Sequence, residues 1–313
     1  MHKINGNFKG KSIVSIEQFT LEDIAILFNE VDVVTSRLGR GDVLGDLRGR
    51  VVANLFYEAS TRTSSSFSAA TQYLGGGVVA INDVHYSSVS KGENLADTVR
   101  TLAQYADAIV LRHPEKGAAM LATRFCTSKP IINAGDGVGE HPTQALLDLY
   151  TIIKKFKTLK DLRVAMVGDL KHGRTVHSLA YLLARYGVRF TFVAPKGFEM
   201  PPSVKKYLQT KGCTYKEYAT LKVCIQEQDV VYVTRVQEER IKQRVSVAGM
   251  QQDYRVTPTL MNQLPAEAIL MHPLPRVGEI DPAVDDDPRA VYFAQVQNGL
   301  HLRMALLRLV LAR

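Results

Sequence analysis

The residues with the clearest chemical potential form a run of hydroxyls around one guanidinium, Ser60-Thr61-Arg62-Thr63. This run follows the apolar segment 51–56, which is typical of a buried strand, and it precedes helical spacing of apolar residues. A helix that begins here points its first backbone N–H groups and the positive end of its dipole outward, and both favour an anion. The run predicts an oxyanion or phosphate cradle. The alternative is a helix N-cap with an incidental arginine.

The loop 168–175, with the sequence GDLKHGRT, follows another apolar segment and opens another helical pattern. With a lysine in place of Arg174 it would match the phosphate-binding P-loop motif. A lysine acts as a point charge, whereas an arginine fork suits bidentate binding of a carboxylate. Gly168 and Gly173 do not have the spacing of a dinucleotide-binding motif either. The loop therefore favours a carboxylate ligand, and a nucleotide-dependent enzyme is the alternative.

Two further pairs of polar residues lie near predicted element ends. His141 and Gln144 come just before a helix, where a histidine can donate to a developing oxyanion and a glutamine can present its amide to a substrate. A capping histidine is the alternative. Arg235 and Gln237 are two residues apart in an extended segment after a strand, so they face the same way and are able to clamp one carboxylate.

Two more segments follow predicted strands, at the end where parallel sheets bind ligands. Arg112-His113-Pro114 comes after the strand that ends at Leu111, and the turn 272–276, HPLPR, comes after the strand that ends at Met271. Proline lacks a backbone N–H, so this turn has carbonyls without matching donors. The turn is predicted to accept hydrogen bonds from a substrate amide, with a merely rigid turn as the alternative.

Helical and strand-like segments alternate along the whole chain, which indicates an α/β protein. Thr20, with Asp23 three residues later, predicts a capped helix at the N-terminal side of the first series. We expect two doubly wound parallel-sheet domains joined by long helices. The predicted strands are 51–56, 78–81, 107–111, 130–134, 162–167, 189–193, 229–233 and 268–271, and the predicted helices include 95–105, 116–126, 142–156 and 293–313.

Composition narrows the class of protein. The 313 residues are 46% apolar and 22% charged, which excludes a disordered chain, a collagen or a disulfide scaffold. The formal charge of +8 suggests anionic ligands, but the densest basic stretch, Lys154, Lys155 and Lys157, has no interleaved aromatic residues for stacking on bases. We therefore expect no nucleic-acid partner.

The cysteines and the N-terminal segment bear on the compartment. Cys126, Cys213 and Cys224 lie far apart and form no CxxC pair, so buried thiols in a reducing compartment are expected rather than disulfides or zinc. The chain has neither a secretory leader pattern nor an apolar run long enough to span a bilayer. The sequence predicts a cytoplasmic protein that has no membrane partner and no metal.

Taken together, these motifs resemble the carbamoyltransferase family in their order and spacing. The ornithine branch of that family typically carries H-C-L-P-R and Ser-Met-Gly, whereas this chain has HPLPR and TRVQ, as in the aspartate branch. Ser64 follows the STRT run as in the multifunctional pyrimidine enzymes of animals, where many bacterial sequences have arginine. The resemblance runs from about Ser12 to the C-terminus and is carried by the segments 56–67, 87–98, 110–118, 133–152, 166–179, 234–240 and 271–280.

The resemblance implies that the chain transfers the carbamoyl group of carbamoyl phosphate to the amine of L-aspartate, with no cofactor. Thr63, Arg112 and His141 would polarise the carbamoyl oxygen, with Lys91 as a fourth catalytic residue. The expected ligands of carbamoyl phosphate are Ser60, Thr61, Arg62, Thr63, Ser87, Lys91, Arg112, His141, Gln144 and the Pro273 and Leu274 carbonyls. The expected ligands of aspartate are Lys91, Arg174, Arg235, Gln237 and Leu274.

The resemblance also implies an assembly and a division of the chain. Ser87, or Ser88 in its place, and Lys91 would enter the site of a neighbouring subunit, so we expect a homotrimer with shared active sites. The resemblance also allows the chain to be fused to other pyrimidine enzymes or to associate with them. The carbamoyl-phosphate-binding domain would comprise 1–142 and 298–313, and the aspartate-binding domain 143–297. The alternatives are an ornithine acceptor and an inert scaffold that keeps the fold.

Overall fold

The computed structural model describes residues 2–82, 91–235 and 254–312. It divides the chain into two compact units, Met1–Leu147 with Gln297–Arg313, and Asp148–Val296. Each unit is built on its own parallel β-sheet, so the predicted α/β class with two parallel sheets is confirmed. Within the described ranges, no helix has the length and apolar composition needed to cross a bilayer.

The first unit holds a four-stranded sheet in the order β2-β1-β3-β4. Its apolar core includes Leu55 and Ile109 on the strands and Leu102 and Ala122 on the helices. The predicted strand 51–56 and helix 95–105 are confirmed to the residue. The elements are α1 (Leu21–Gly39), β1 (Val51–Phe56), α2 (Thr61–Tyr73), β2 (Gly77–Ile81), α3 (Leu95–Tyr105), β3 (Ala108–His113), α4 (Ala118–Phe125) and β4 (Ile131–Asp136).

The second unit holds a five-stranded parallel sheet in the order β7-β6-β5-β8-β9. Its core gathers Val167 and Val231 from the strands around Leu221, Met261 and Tyr292. Two helices contain the boundaries between the units, α5 (Pro142–Lys155) and α9 (Tyr292–Leu311). The other elements are β5 (Arg163–Val167), α6 (Arg174–Leu183), β6 (Arg189–Val193), α7 (Pro202–Thr210), β7 (Tyr215–Tyr218), β8 (Val230–Val233), α8 (Pro258–Met261) and β9 (Ile269–Met271).

Each sheet contains one point where the strand order reverses. From β1 the chain adds β2 on one side and β3 on the other, and from β5 it adds β6 on one side and β8 on the other. At such a point the connections after the two central strands diverge, and the crevice between them is the usual ligand position of open α/β sheets. The polar segments after β1, β5 and β8 therefore lie where ligands are expected.

Two details of the sequence predictions are corrected or confirmed by the backbone. Strand β3 continues through His113, because Phe56 pairs with Arg112 and Tyr57 N donates to Arg112 O at 2.9 Å. Arg112 and His113 are thus the last residues of the strand rather than a loop after it. The capped helix is confirmed, since the Thr20 and Asp23 side chains accept from each other's backbone N–H groups.

The outer strands of the two sheets differ in what lies beside them. A segment around Ile13 covers the edge of β4, with Ile13 N donating to Ile131 O and Asn133 N to Ile13 O, both at 2.8 Å. A segment around Ala290 covers β9 in the same way. Strands β2 and β7 form the remaining edges.

The turn after β5 requires a glycine. Gly168 has φ +112°, and a Cβ at this position would lie 2.1 Å from the backbone oxygen of Thr234, which follows β8. Thr234 N in turn donates to Val167 O at 2.8 Å. The connections after β5 and β8 are therefore in direct backbone contact.

We predict that Gly168→Ala lowers the free energy of unfolding by about 3 kcal/mol or more, because it combines left-handed strain with a backbone clash. Gly187→Ala is the matched control, since Gly187 has φ +70° with nothing within 4 Å of its Cβ position. That control should cost only about 1–2 kcal/mol. Urea unfolding curves measure both, and equal losses in the two variants would contradict the clash.

Candidate functional site

The predicted cradle lies at the first residues of α2, four residues beyond β1. Ser60 is the N-cap residue, yet its side chain makes no capping hydrogen bond to the described backbone. The first N–H groups of a helix have no partner within the helix, so they and the dipole point to the space around Ser60. Thr61 and Arg62 are exposed there and Thr63 is buried. The hydroxyl of Ser60 is therefore not used as a helix cap, which favours the cradle over the alternative.

The cradle is tied to the sheet by amide groups behind it. Asn54 on β1 donates from Nδ2 to Ser64 O at 3.3 Å and to Ser68 Oγ at 2.9 Å. The Ser64 hydroxyl donates to the side-chain oxygen of Asn82, just past β2. These bonds fix the start of α2 against the carboxyl ends of β1 and β2.

Arg112 lies beside the cradle because β1 and β3 pair in parallel. Its side chain is 14% exposed, its Nη2 lies 3.2 Å from Glu58 Oε2, and its Nη1 donates to Ala134 O at 3.3 Å. Glu58 lies between β1 and the cradle in the chain, so its carboxylate holds the guanidinium at the carboxyl ends of β1 and β3. The fork of an arginine in this position suits bidentate binding of phosphate oxygens.

His141 and Gln144 lie at the start of α5, after β4, on the side of the same sheet where the strands have their carboxyl ends. The backbone oxygen of His141 accepts from Gln144 N at 3.0 Å and from Ala145 N at 3.1 Å, so this buried histidine does begin the helix. The preceding loop is fixed by Asp136, which accepts from Glu140 N at 2.6 Å and from Gly117 N at 2.9 Å.

The Glu140 carboxyl supports the same loop from its other side. It accepts from Ser15 Oγ at 2.5 Å and from Ile16 N at 2.9 Å. Burial raises the pKa of Glu140, opposed by these two hydrogen bonds. Sequence reasoning missed Asp136 and Glu140, although both lie inside the quoted segment 133–152, because acceptors of backbone N–H groups have no side-chain spacing of their own.

Ser60–Thr63, Arg112 and His141 therefore all lie at or just beyond the carboxyl ends of strands in the first sheet. Lys91 is exposed after β2, the outer strand, and precedes α3. Ser87 and Ser88 lie outside the described residues, as does Gln237.

The second unit places Arg174 and Arg235 on the two connections that flank its strand-order reversal. Arg174 is the first residue of α6 and is 6% exposed, and Arg235 comes two residues after β8. The loop before Arg174 is held by buried Asp169, whose Oδ1 accepts from His172 N at 2.9 Å and from Lys171 N at 3.2 Å. The expected strand-to-helix position of this loop is confirmed.

The HPLPR turn follows β9, the strand next to β8, and is fixed from inside by its own histidine. Nδ1 of His272 accepts from Leu274 N at 2.8 Å, so the ring proton is on Nε2, which lies 2.8 Å from Glu279 Oε1. Glu279 Oε2 accepts from Val277 N at 2.7 Å. Leu274 has φ +54°, and the Leu274–Pro275 bond is cis. Three hydrogen bonds among its own residues therefore hold the turn, and its expected role as an acceptor for a substrate amide stays a prediction.

Two ionisable side chains at the turn have shifted pKa values. Burial would raise the pKa of Glu279, but the hydrogen bonds from His272 and Val277 lower it overall. Arg276 forms a bidentate ion pair with Asp285 and donates to the Tyr292 hydroxyl at 3.1 Å. The Arg276 guanidinium lowers the pKa of Asp285. Arg276 therefore anchors the turn to α9.

His113, the neighbour of Arg112, lies in an environment that disfavours the charged form of its ring. Its ring packs on Tyr57 with centroids 4.6 Å apart, and its Nδ1 accepts from Glu115 N at 3.1 Å. Burial lowers the pKa of His113, opposed by the carboxylates of Glu115, Glu58 and Asp136. The positive charge at the carboxyl end of β3 therefore comes from Arg112 rather than from His113.

We predict that the His113 imidazole titrates below its ordinary pKa of 6.5. The unfolded chain then binds this proton more tightly, so the stabilisation is complete above pH 6.5 and is lost as pH falls through the lower folded-state pKa. NMR titration, with His113→Gln to assign the signal, measures the pKa, and unfolding curves measure the slope. A titration midpoint above 6.5 would contradict the burial argument.

Comparison with known proteins gives the chain a family. Residues 11–154 match the model of the aspartate/ornithine carbamoyltransferase carbamoyl-P binding domain, and residues 160–310 match the Asp/Orn binding domain of the same family. A solved aspartate transcarbamoylase from Trypanosoma cruzi, in complex with carbamoyl phosphate and aspartate, is 43% identical with a TM-score of 0.91. That likeness covers 97% of this chain and 96% of that one.

Two curated relatives differ greatly in length. The chain is 46% identical over 306 residues to the multifunctional protein CAD of Squalus acanthias, matching 98% of this chain but spanning only 14% of that relative. It is 45% identical over 303 residues to the aspartate carbamoyltransferase catalytic subunit of Picrophilus torridus, which covers 97% of this chain and 99% of that protein. The chain therefore belongs to the aspartate/ornithine carbamoyltransferase family.

Proposed function

We propose that this chain transfers the carbamoyl group of carbamoyl phosphate to the amine of L-aspartate, giving N-carbamoyl-L-aspartate and phosphate. This reaction is an early step of de novo pyrimidine biosynthesis. The observation that carries the proposal is a pair of arginine-bearing ligand positions, one at the strand-order reversal of each sheet. The first combines a helix N-terminus with Arg112, and the second presents Arg174 and Arg235. The proposal agrees with the activity named for the two relatives whose length this chain covers almost completely.

Carbamoyl phosphate binds through its phosphate at the cradle. Ser60, Thr61, Arg62 and Thr63 supply hydroxyls, backbone N–H groups and a guanidinium, and Arg112 supplies a second fork. Thr63, Arg112 and His141 donate to the carbamoyl oxygen, where negative charge develops. One such donor is commonly worth about 3–4 kcal/mol of transition-state stabilisation.

The carbamoyl amino group needs acceptors rather than donors. The Gln144 side chain and the backbone carbonyls of Pro273 and Leu274 fill this role in the proposal. The rigid turn around Leu274 supports it, because a fixed carbonyl direction reduces the loss of freedom on binding. The carbamoyl-phosphate-binding domain is taken as 1–142 with 298–313, and the aspartate-binding domain as 143–297.

Aspartate is held by its two carboxylates on Arg174, Arg235 and Gln237, with Leu274 and Lys91 as further contacts. Two guanidinium groups favour an acceptor with two negative charges. Ornithine carries a side-chain ammonium instead, which two nearby guanidinium groups would repel. The charge of this unit's ligand position therefore supports aspartate over ornithine.

The chemistry follows from the groups present on the substrates. The unprotonated amine of aspartate attacks the carbamoyl carbon, and the C–N bond forms as the carbonyl oxygen takes up negative charge. The C–O bond to phosphate then breaks, and the leaving phosphate accepts the proton that the amine loses. The protein contributes positioning and preorganised donors.

We also propose that the active form is a homotrimer in which Ser87 and Lys91 enter a neighbouring subunit's site. Exposure of Lys91 on the connection after an outer strand supports this, and so do the exposed apolar side chains Val79 on that strand and Tyr73 at the end of α2. The short share of the CAD relative that the chain spans supports fusion to other pyrimidine enzymes in some settings. Its free, buried cysteines suit a cytoplasmic location.

The first test of this proposal concerns the reaction itself. The purified chain, given carbamoyl phosphate without added metal or nucleotide, should form a ureido product with L-aspartate and not with L-ornithine. Colorimetric ureido detection with both amines in parallel measures this. Product from ornithine alone would contradict the roles of Arg174, Arg235 and Gln237, and no product from either amine would favour an inert scaffold.

A second test of the proposal concerns the shared site. Ser60→Ala and Lys91→Ala should each lose about 100-fold in kcat, because each removes a group that contacts the reacting carbamoyl phosphate. Mixing equal amounts under subunit exchange should restore about a quarter of wild-type activity, since three quarters of random trimers are mixed and each has one intact site.

A second mixture serves as the control. Ser60→Ala and Arg112→Ala alter the same chain's share of the site, so that mixture should recover nothing. Activity recovered equally in both mixtures, or in neither under proven exchange, would contradict shared sites.

A further inference from the structure

One buried carboxylate in the second unit has no role in the proposed chemistry. Asp148 on α5 is fully buried, and its two oxygens accept from two neutral donors. Oδ2 accepts from the Tyr232 hydroxyl at 2.8 Å, and Oδ1 accepts from Gln295 Nε2 at 2.6 Å. Burying a carboxylate costs several kcal/mol, and an apolar side chain would avoid that cost. What an apolar side chain lacks is the ability to fix hydrogen-bond direction.

The first arm from Asp148 leads to the HPLPR turn. An ionised carboxylate only accepts, so Gln295 must present its NH₂ to Asp148 and its Oε1 to the other side. There Oε1 accepts from His272 N at 3.1 Å. His272 in turn accepts from Leu274 N through Nδ1 and lies 2.8 Å from Glu279 through Nε2. Asp148 thus holds the amide of Gln295, Gln295 holds the His272 backbone, and the His272 ring holds Leu274 N.

The second arm leads to the start of α6. Because the Tyr232 proton is donated to Asp148, the tyrosine oxygen is left to accept, and the Thr175 hydroxyl acts on it as a donor that lowers the pKa of Tyr232. Thr175 directly follows Arg174, and Tyr232 lies on β8 three residues before Arg235. Burial, and then the charge of Asp148, raise the pKa of Tyr232, so this hydroxyl keeps its proton.

We propose that Asp148 is a positioning residue of the acceptor site, which orients Arg174 through Tyr232 and Thr175, and Leu274 through Gln295 and His272. This inference rests on the proposed function, since it assigns the relay to the aspartate ligands of the second unit. Asp148, Tyr232, Gln295 and His272 are each at most 1% exposed, so the relay acts only through the residues at its ends.

The test exchanges the two sides of the Asp148–Gln295 bond. Gln295→Glu places a second carboxylate against Asp148, and in an alkaline assay at about pH 9, where the pair is least able to share a proton, the repulsion breaks the arm to His272. Adding Asp148→Asn restores the bonds to both neighbours, because the new amide donates to the new carboxylate and accepts from the Tyr232 hydroxyl. The single variant should raise KM for aspartate roughly tenfold, and the double variant should return it to within about twofold of wild type.

The dissociation constant of inorganic phosphate, measured by calorimetry, separates positioning from general damage. Phosphate probes only the cradle and Arg112, so it should change less than about twofold in every variant. Asp161→Asn with Gln209→Glu makes the same two changes of residue type on the exposed surface of the second unit, where the residues contact Arg189 and Tyr215 instead of each other, and is the control. Tyr232→Phe, which removes one hydroxyl from the other arm, should raise KM for aspartate about threefold and covers the case in which Gln295→Glu does not fold.

The outcomes are distinct. An unchanged KM for aspartate in Gln295→Glu and Tyr232→Phe overturns the proposal. So does equal weakening of phosphate and aspartate, or a double variant that remains impaired. A wild-type chain that binds phosphate but does not carbamoylate aspartate overturns the proposed function instead.

Discussion

Parallel strand pairing across a reversal of strand order is the constraint on which the rest of each unit depends. The pairs β1–β3 and β5–β8 bring the carboxyl ends of two strands side by side, while their following connections leave in different directions. In the first unit this places Arg112 beside the start of α2. In the second it places the approach to Arg174 against the backbone of Thr234, one residue before Arg235. Neither position depends on residues that are close in sequence.

Arginine suits these positions for an electrostatic reason. A partly buried lysine or histidine loses its charge readily, as the lowered pKa of His113 illustrates, whereas a guanidinium stays charged. Keeping such a charge at a sheet edge requires a counter-charge or hydrogen-bond acceptors. Glu58 and Ala134 O do this for Arg112. The Glu58 carboxylate also fixes the direction of the Arg112 guanidinium. It lowers the affinity of Arg112 for another anion, but it holds the guanidinium ready in one orientation.

The sequence predicted the central strands well because their apolar runs are buried on both faces. It did not predict β7, whose Tyr-Lys-Glu-Tyr is half exposed at the edge of the sheet and carries no apolar run. It placed the end of β3 too early, because a polar residue such as Arg112 does not look like a strand residue. In the site, side chains with conspicuous chemistry were found from motifs. The acceptors Glu58, Asp136 and Glu279 and the Asp148 relay were not, since their partners are backbone groups or residues far along the chain.

The four sheet edges also differ in how they are protected against pairing with another chain. Segments around Ile13 and Ala290 cap β4 and β9, and β7 carries charged Lys216 and Glu217, the latter paired with Lys205 at 3.1 Å. Within the described residues, β2 has neither a covering segment nor a charge, only Gly-Val-Val-Ala-Ile. A single chain would thus expose one uncharged, apolar strand edge that is able to pair with another strand. Colloidal stability in dilute solution, and not only catalysis, is then expected to depend on what lies against β2.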